Sequence, residues 1–160
     1  MSAPGELKLV LATSDDAEEL WRMQVEAFSE MLARYQDYDM SPAAEPVDKV
    51  RYRLEQPETS FYFIVLDGEK VGAIRIWDRK DGKTRKRVSP LFIMPQHRNK
   101  GIAQWALTEV ERIHGGELWE LDTILQEKGN CHLYEKMGYH TIGLVREIND
   151  GMTIVYYHKN

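Results

Sequence analysis

Apolar and polar positions along this chain alternate between two periods, and the change of period marks its elements. Residues 7–11 form an apolar run that reads as a first strand. Thr13 or Ser14 then caps a helix whose first turn holds Asp15, Asp16 and Glu18, where the helix dipole favours acids. Its apolar face steps through Leu20, Met23 or Gln24, Ala27, Phe28, Met31 and Leu32, near the 3.6-residue period. Residues 35–46 hold two prolines and no periodicity, and predict a loop long enough to carry function. Residues 47–54 predict a short helix that ends before Pro57.

From Phe61 the pattern turns strand-like. Runs at 61–66, 70–77 and 87–94 are separated by Asp67-Gly68 and Asp81-Gly82, both hairpin signals. Pro90 removes a ladder donor inside the third run, so a bulge or splayed edge is expected there. A helix over 101–113 presents Ile102, Ala106, Val110 and Ile113 on one face and stops at Gly115-Gly116. A strand at 118–125, a short helix at 129–137 and two strands at 139–148 and 152–158 complete the chain, the last two joined through Asn149-Asp150-Gly151. Antiparallel hairpins followed by crossover helices predict a single α/β (α+β) domain over residues 1–160. Its sheet is expected to be mixed and mostly antiparallel, of about six or seven strands, with helices on both faces.

Composition narrows the function. With 42% apolar and 29% charged residues the chain is an ordinary globular protein, and the single Cys131 excludes an intrachain disulfide and a multi-cysteine metal site. No metal is expected. The net charge of −5 argues against nucleic-acid binding, and no apolar stretch approaches a membrane span, so a cytoplasmic monomer or homodimer is the expectation. The basic run Lys80, Lys83, Arg85, Lys86, Arg87 surrounds Asp81-Gly82 and reads as a solvated turn.

The most informative segment is Met94-Pro-Gln-His-Arg-Asn-Lys-Gly-Ile-Ala103. A strand ends at Pro95, a polar turn carries Arg98 and Lys100, and a helix opens at Gly101. Such a strand–turn–helix aims backbone N–H groups and the positive end of a helix dipole at one spot, which suits a pyrophosphate. One glycine with no following Ser or Thr is neither a Walker loop nor a dinucleotide fingerprint. The run Arg98, Asn99, Lys100, Gly101, Ile102, Ala103 does resemble Arg/Gln-x-x-Gly-x-Gly/Ala, the coenzyme A pyrophosphate loop of the GNAT superfamily of N-acetyltransferases. A second likeness lies at Leu133-Tyr134-Glu135-Lys136-Met137-Gly138-Tyr139, which resembles a Leu-Tyr-x-x-x-Gly-Phe/Tyr segment near the C-terminus of many GNAT enzymes. The predicted element order also matches that fold.

The resemblance implies an acetyl-coenzyme A-dependent N-acetyltransferase acting on a small-molecule or peptide amine. By motif position it implies Tyr134 as general acid for the departing thiolate, a task suited to a phenol with an ordinary pKa of about 10. It implies main-chain contacts from Phe92, Ile93 and Met94 to the pantetheine arm, and an acid on the strand after the motif helix as base. Asp122 matches that position; Glu120 lies two residues away on the same face. Many members have an asparagine seven residues before the tyrosine. Here that residue is Glu127, and Asn130 is the substitute expected one helical turn nearer. His132 and His97 are weaker candidates, and Cys131 lacks a flanking base that would activate it. Asp37, Asp39 and Glu45 with Tyr35 and Tyr38 suggest a cationic acceptor beside the 35–45 loop. A non-catalytic acyl-coenzyme A-binding or sensing module, and a donor other than acetyl-coenzyme A, remain open from these residues alone.

Overall fold

The structure, a computed structural model, describes residues 5–160. Seven strands and four α-helices follow in the order β1 (Leu7–Leu11), α1 (Ala17–Tyr35), α2 (Val47–Glu55), β2 (Thr59–Leu66), β3 (Glu69–Trp77), β4 (Lys86–Ile93), α3 (Ile102–His114), β5 (Trp119–Ile124), α4 (Lys128–Lys136), β6 (His140–Asn149) and β7 (Met152–Lys159). They build one sheet, ordered β1-β2-β3-β4-β5-β7-β6. Every neighbouring pair is antiparallel except β4 and β5, which are parallel. The mixed, mostly antiparallel sheet with helices on both faces is the architecture expected from the chain.

Strand alternation divides the core in two. On β2, Phe61, Phe63 and Val65 pack with Leu20, Ala27 and Val50 beneath α1 and α2. Ile64 points the other way and joins Ile102, Ala106, Leu107 and Val110 of α3 with Trp119, Tyr134 and Tyr157. The buried position on α1 is Gln24 rather than Met23, because its amide reaches the Pro42 carbonyl (2.9 Å) and the Glu45 carboxylate (2.8 Å). On α3, Ile113 is 44% exposed. The last turn buries His114 instead, its ring held between Asp78 (3.0 Å) and the Tyr62 hydroxyl (2.9 Å).

The turn signals were obeyed unequally. Asp67 and Gly68 both take positive φ (50° and 84°), as a two-residue β2–β3 hairpin requires. Asp81-Gly82 does not make a tight hairpin; it sits inside the longer connection of residues 78–85, where Asp81 caps the N–H groups of Lys83 and Thr84. The bulge expected at Pro90 is present. Ile74 pairs with Leu91 and Ile76 with Val88, so Ser89 and Pro90 together oppose Arg75.

Candidate active site

The parallel pair β4 and β5 touches only at Lys86–Trp119 and Arg87–Glu120, although both strands run on. Beyond the bulge they part. Two cavities of about 380 Å³ each occupy the region that opens there. The first lies against Arg87 to Leu91 of β4, Asp122 to Ile124 of β5 and the segment after α1. The second lies between the end of β4, the 98–104 turn and α4. Phe28, Met31, Leu91, Asn130 and Tyr134 line both, so the two cavities share a wall at Tyr134.

The turn entering α3 is built to present N–H groups. Asn99 and Gly101 adopt left-handed backbone (φ 63° and 79°), which glycine takes without strain and asparagine tolerates. A Cβ on Gly101 would meet nothing within 4 Å, so open space lies above the helix entry. Among the described residues no acceptor pairs with the backbone N–H groups of Gly101, Ile102, Ala103 or Gln104. These are the orphan donors of a helix N-terminus, directed where the dipole is positive. Arg98 plays a part that spacing did not show. Its guanidinium donates to the Ile93 carbonyl (3.0 Å) and the Ala27 carbonyl (2.6 Å), tying the turn to β4 and α1. Arg98, Asn99, Gly101, Ile102 and Ala103 line the second cavity, whereas Lys100 does not.

Backbone direction along β4 revises the main-chain expectation. Met94 N–H donates to the Val71 carbonyl (2.8 Å), and hydrogen-bonded pairs alternate along an antiparallel ladder. Met94 and Phe92 therefore face β3. Leu91 and Ile93 turn their peptide groups toward the opening, and Leu91 was not foreseen.

Tyr134 on α4 is buried, packed edge-on against Tyr139 (6.0 Å between ring centres) and tilted against Tyr157 (6.3 Å). Its hydroxyl bonds to no group among the described residues. Burial, then the Asp122 charge and Cys131, hold the phenol well above its ordinary value, so it stays protonated at neutral pH. Asp122 lines the first cavity with Tyr134 and is ion-paired to Arg87. Glu120 lines neither cavity. Asn130 lines both. Glu127 instead joins α4 to the end of α1, accepting from Arg34 (2.6 Å) and from the Tyr35 hydroxyl.

His132 is exposed, and Cys131 is buried with its sulfur near the Ile124 and Leu125 carbonyls (both 3.8 Å). His97 lines the second cavity and contacts Glu69 through Nε2 (3.0 Å). Among the described residues no group of His, Cys, Asp or Glu side chains could hold a metal ion.

The acidic loop is only partly the cage its composition suggested. Tyr35, Asp37, Asp39 and Glu45 line the first cavity, but Tyr38 is 67% exposed and lies outside it. Glu45 is gripped by both terminal nitrogens of Arg53 (2.6 and 2.7 Å). Lys49, Arg53 and Arg87 also line the cavity. Arg87 had read as part of a solvated basic turn; on β4 it faces the cavity instead. Nothing local in the chain marks these cations, because they come from elements brought together only by the sheet.

Comparison with known proteins bears on the family and the fold. The sequence model of the "Acetyltransferase (GNAT) family" matches residues 17–139. No curated protein matches the chain. Among solved structures the chain is similar to the ribosomal-protein-S18-alanine N-acetyltransferase of Escherichia coli, with TM-score 0.73 and 9% identity over 95% of this chain and 92% of that one. It is also similar to the spermidine N-acetyltransferase of Vibrio cholerae in complex with coenzyme A and spermine, with TM-score 0.72 and 16% identity over 94% and 93%. The PaiA N-acetyltransferase of Thermoplasma acidophilum in complex with coenzyme A gives TM-score 0.66 and 16% identity over 97% and 99%. At these identities the likeness is one of fold.

Proposed function

The chain belongs to the acetyltransferase (GNAT) family, and from that premise we propose that it transfers the acetyl group of acetyl-coenzyme A to a primary amine by direct attack, with Tyr134 as general acid. The observation that carries the assignment of roles is the wall shared by two cavities at Tyr134, whose hydroxyl has no partner among the described residues.

The second cavity is the proposed coenzyme A site. The unpaired N–H groups at Gly101 to Gln104, the helix dipole and the open space over Gly101 fit a pyrophosphate. The peptide group of Leu91 and the N–H of Ile93, whose carbonyl Arg98 already holds, lie on the parted edge of β4 and suit an extended, amide-bearing arm, which such an edge takes as an added strand. Acetyl-coenzyme A supplies the acyl group as a thioester. As the C–S bond breaks, Tyr134 Oη gives its proton to the departing sulfur, a task for which its protonated state is the right one, and it is reprotonated by the proton that the attacking nitrogen sheds on becoming an amide. Asp122 accepts a proton from the incoming ammonium, directly or through water, while Arg87 holds its carboxylate in place. The first cavity admits the amine.

Release of free thiol from acetyl-coenzyme A against a panel of amines tests this reading. Turnover with at least one amine, lost in Tyr134→Phe and impaired in Asp122→Asn, is the expected result. Coenzyme A binding without turnover of any amine would favour a binding module.

A further inference from the structure

The bulge beyond which β4 and β5 part is gripped from behind by a buried arginine. Arg75 sits on β3 opposite Ser89 and Pro90. Its neighbours Ile74 and Ile76 join the core beneath α3, so by strand alternation its own side chain lies with Ala73 on the α1 and α2 face. There it is 8% exposed and ties three elements together. Nη1 donates to the Ser89 carbonyl in the bulge (3.0 Å), Nε to Thr59 Oγ1 at the start of β2 (3.2 Å) and Nη2 to Gln56 Oε1 just after α2 (2.7 Å).

All three acceptors are neutral, and among the described residues no carboxylate pairs with the charge. A buried cation without a counter-ion is costly. Burial first, and then the neighbouring Arg53 and Arg87, pull the guanidinium down to about 10, against the opposing pull of Glu45, so it stays charged at neutral pH. Two of the acceptors do not depend on it. Thr59 Oγ1 also donates to Gln56 Oε1 (3.2 Å), and these groups keep each other as partners when Arg75 is replaced.

The Ser89 carbonyl is different. A bulge disrupts the ladder around its extra residue, and a planar fork anchored on two other elements fixes the direction of a carbonyl there. Ser89 and Pro90 line the first cavity, and the next residue, Leu91, lines both. The grip on Ser89 therefore sets where the parted edge of β4 begins and which way its first peptide group faces.

We propose that Arg75 is a positioning residue of the cofactor site. Through the Ser89 carbonyl it fixes the bulge, and through the bulge it aims the β4 edge at Leu91 toward the arm of coenzyme A. The inference rests on the reading that this edge receives the arm, and it is independent of which amine is acetylated.

Calorimetry with two ligands separates this role from a general structural one. Coenzyme A is compared with adenosine 3′-phosphate 5′-diphosphate, which keeps the nucleotide and pyrophosphate and lacks the arm. In the unaltered protein coenzyme A should bind about tenfold or more tightly than the fragment, through the amide contacts of the arm. Arg75→Met should cut that ratio about threefold or more while fragment affinity stays within about twofold, the loss of one or two such contacts. An unchanged ratio in the folded variant overturns the proposal. So does an equal loss for both ligands, which marks a structural effect alone. Where Arg75→Met does not fold, Thr59→Val, which frees Nε and loosens the guanidinium, carries the test: a lower ratio supports the proposal and an unchanged one overturns it. Equal binding of the two ligands by the unaltered protein removes the arm from the β4 edge and overturns the underlying reading together with the proposal.

Discussion

Arg98 donates from Nη2 to the carbonyl of Ala27 at 2.6 Å, across seventy-one positions of sequence. With its bond to the Ile93 carbonyl, this makes the first residue of the pyrophosphate-loop motif a brace between the turn, β4 and α1. Arg98→Ala is therefore expected to lower stability by about 1.5–3 kcal/mol and to weaken coenzyme A binding together with it. Arg98→Lys should fail to restore either, because a single ammonium cannot span two carbonyls in a fixed fork. Thermal unfolding and calorimetry on the two variants check this. A fully stable Arg98→Ala protein with weak coenzyme A binding would return the side chain to a direct phosphate contact.

Gly101→Val places a β-branched side chain at φ 79°, with about 1–2 kcal/mol of strain, in space that is otherwise open. The fold should survive, since no packed neighbour is displaced. Affinity for acetyl-coenzyme A should fall by about tenfold or more through lost charge-assisted N–H contacts. Unchanged affinity by calorimetry in a folded variant would remove the turn from the binding site.

Tyr134→Phe keeps the ring packed between Tyr139 and Tyr157 and deletes a hydroxyl that bonds to nothing among the described residues. Stability and coenzyme A affinity should change little, while the acetylation rate falls by about 10²- to 10⁴-fold. Wild-type turnover in this variant would leave Tyr134 a core residue only.

The 78–85 connection carries a pH-dependent prediction. The Asp81 carboxylate accepts the Thr84 N–H (2.8 Å), the Lys83 N–H (2.9 Å) and the Thr84 hydroxyl (2.8 Å). The backbone donors, Thr84 first, lower its pKa from 3.8 to about 2. A depressed carboxyl stabilises the folded turn fully above the unfolded value near 4, and that contribution is lost as the pH falls through about 2. An NMR titration should show the Asp81 carboxyl and the Thr84 amide moving together with a midpoint near 2. A midpoint near 4, or Asp81→Ala leaving the Thr84 amide unprotected to no greater degree, would contradict the assignment.

What could be read from the chain followed the range of the forces involved. The β2–β3 hairpin was legible in Asp67-Gly68 because φ > 0 is a property of two adjacent residues. The bulge was legible in Pro90 because a missing N–H is intrinsic to the residue. The turn into α3 was legible because its donors are consecutive in sequence. Asp81-Gly82 misled, because the same dipeptide that closes a tight hairpin also caps a longer loop. Leu91 was missed because its side chain says nothing about which way its peptide group points; that depends on the pairing of Met94 with Val71.

By itself the sequence determined the elements, their order, the helix entry at Gly101 and the aromatic of α4, since each arises from local dihedral preference or from burial of a periodic apolar face. Only the tertiary structure decided how the charges are shared. That Arg98 braces the turn, that Glu127 closes on Arg34 and Tyr35, and that Arg87 occupies Asp122 while Arg75 pairs with no carboxylate among the described residues are outcomes of how residues far apart in the chain are brought together. Charge pairing depends on distance in space, and no pattern of neighbours along a chain encodes it.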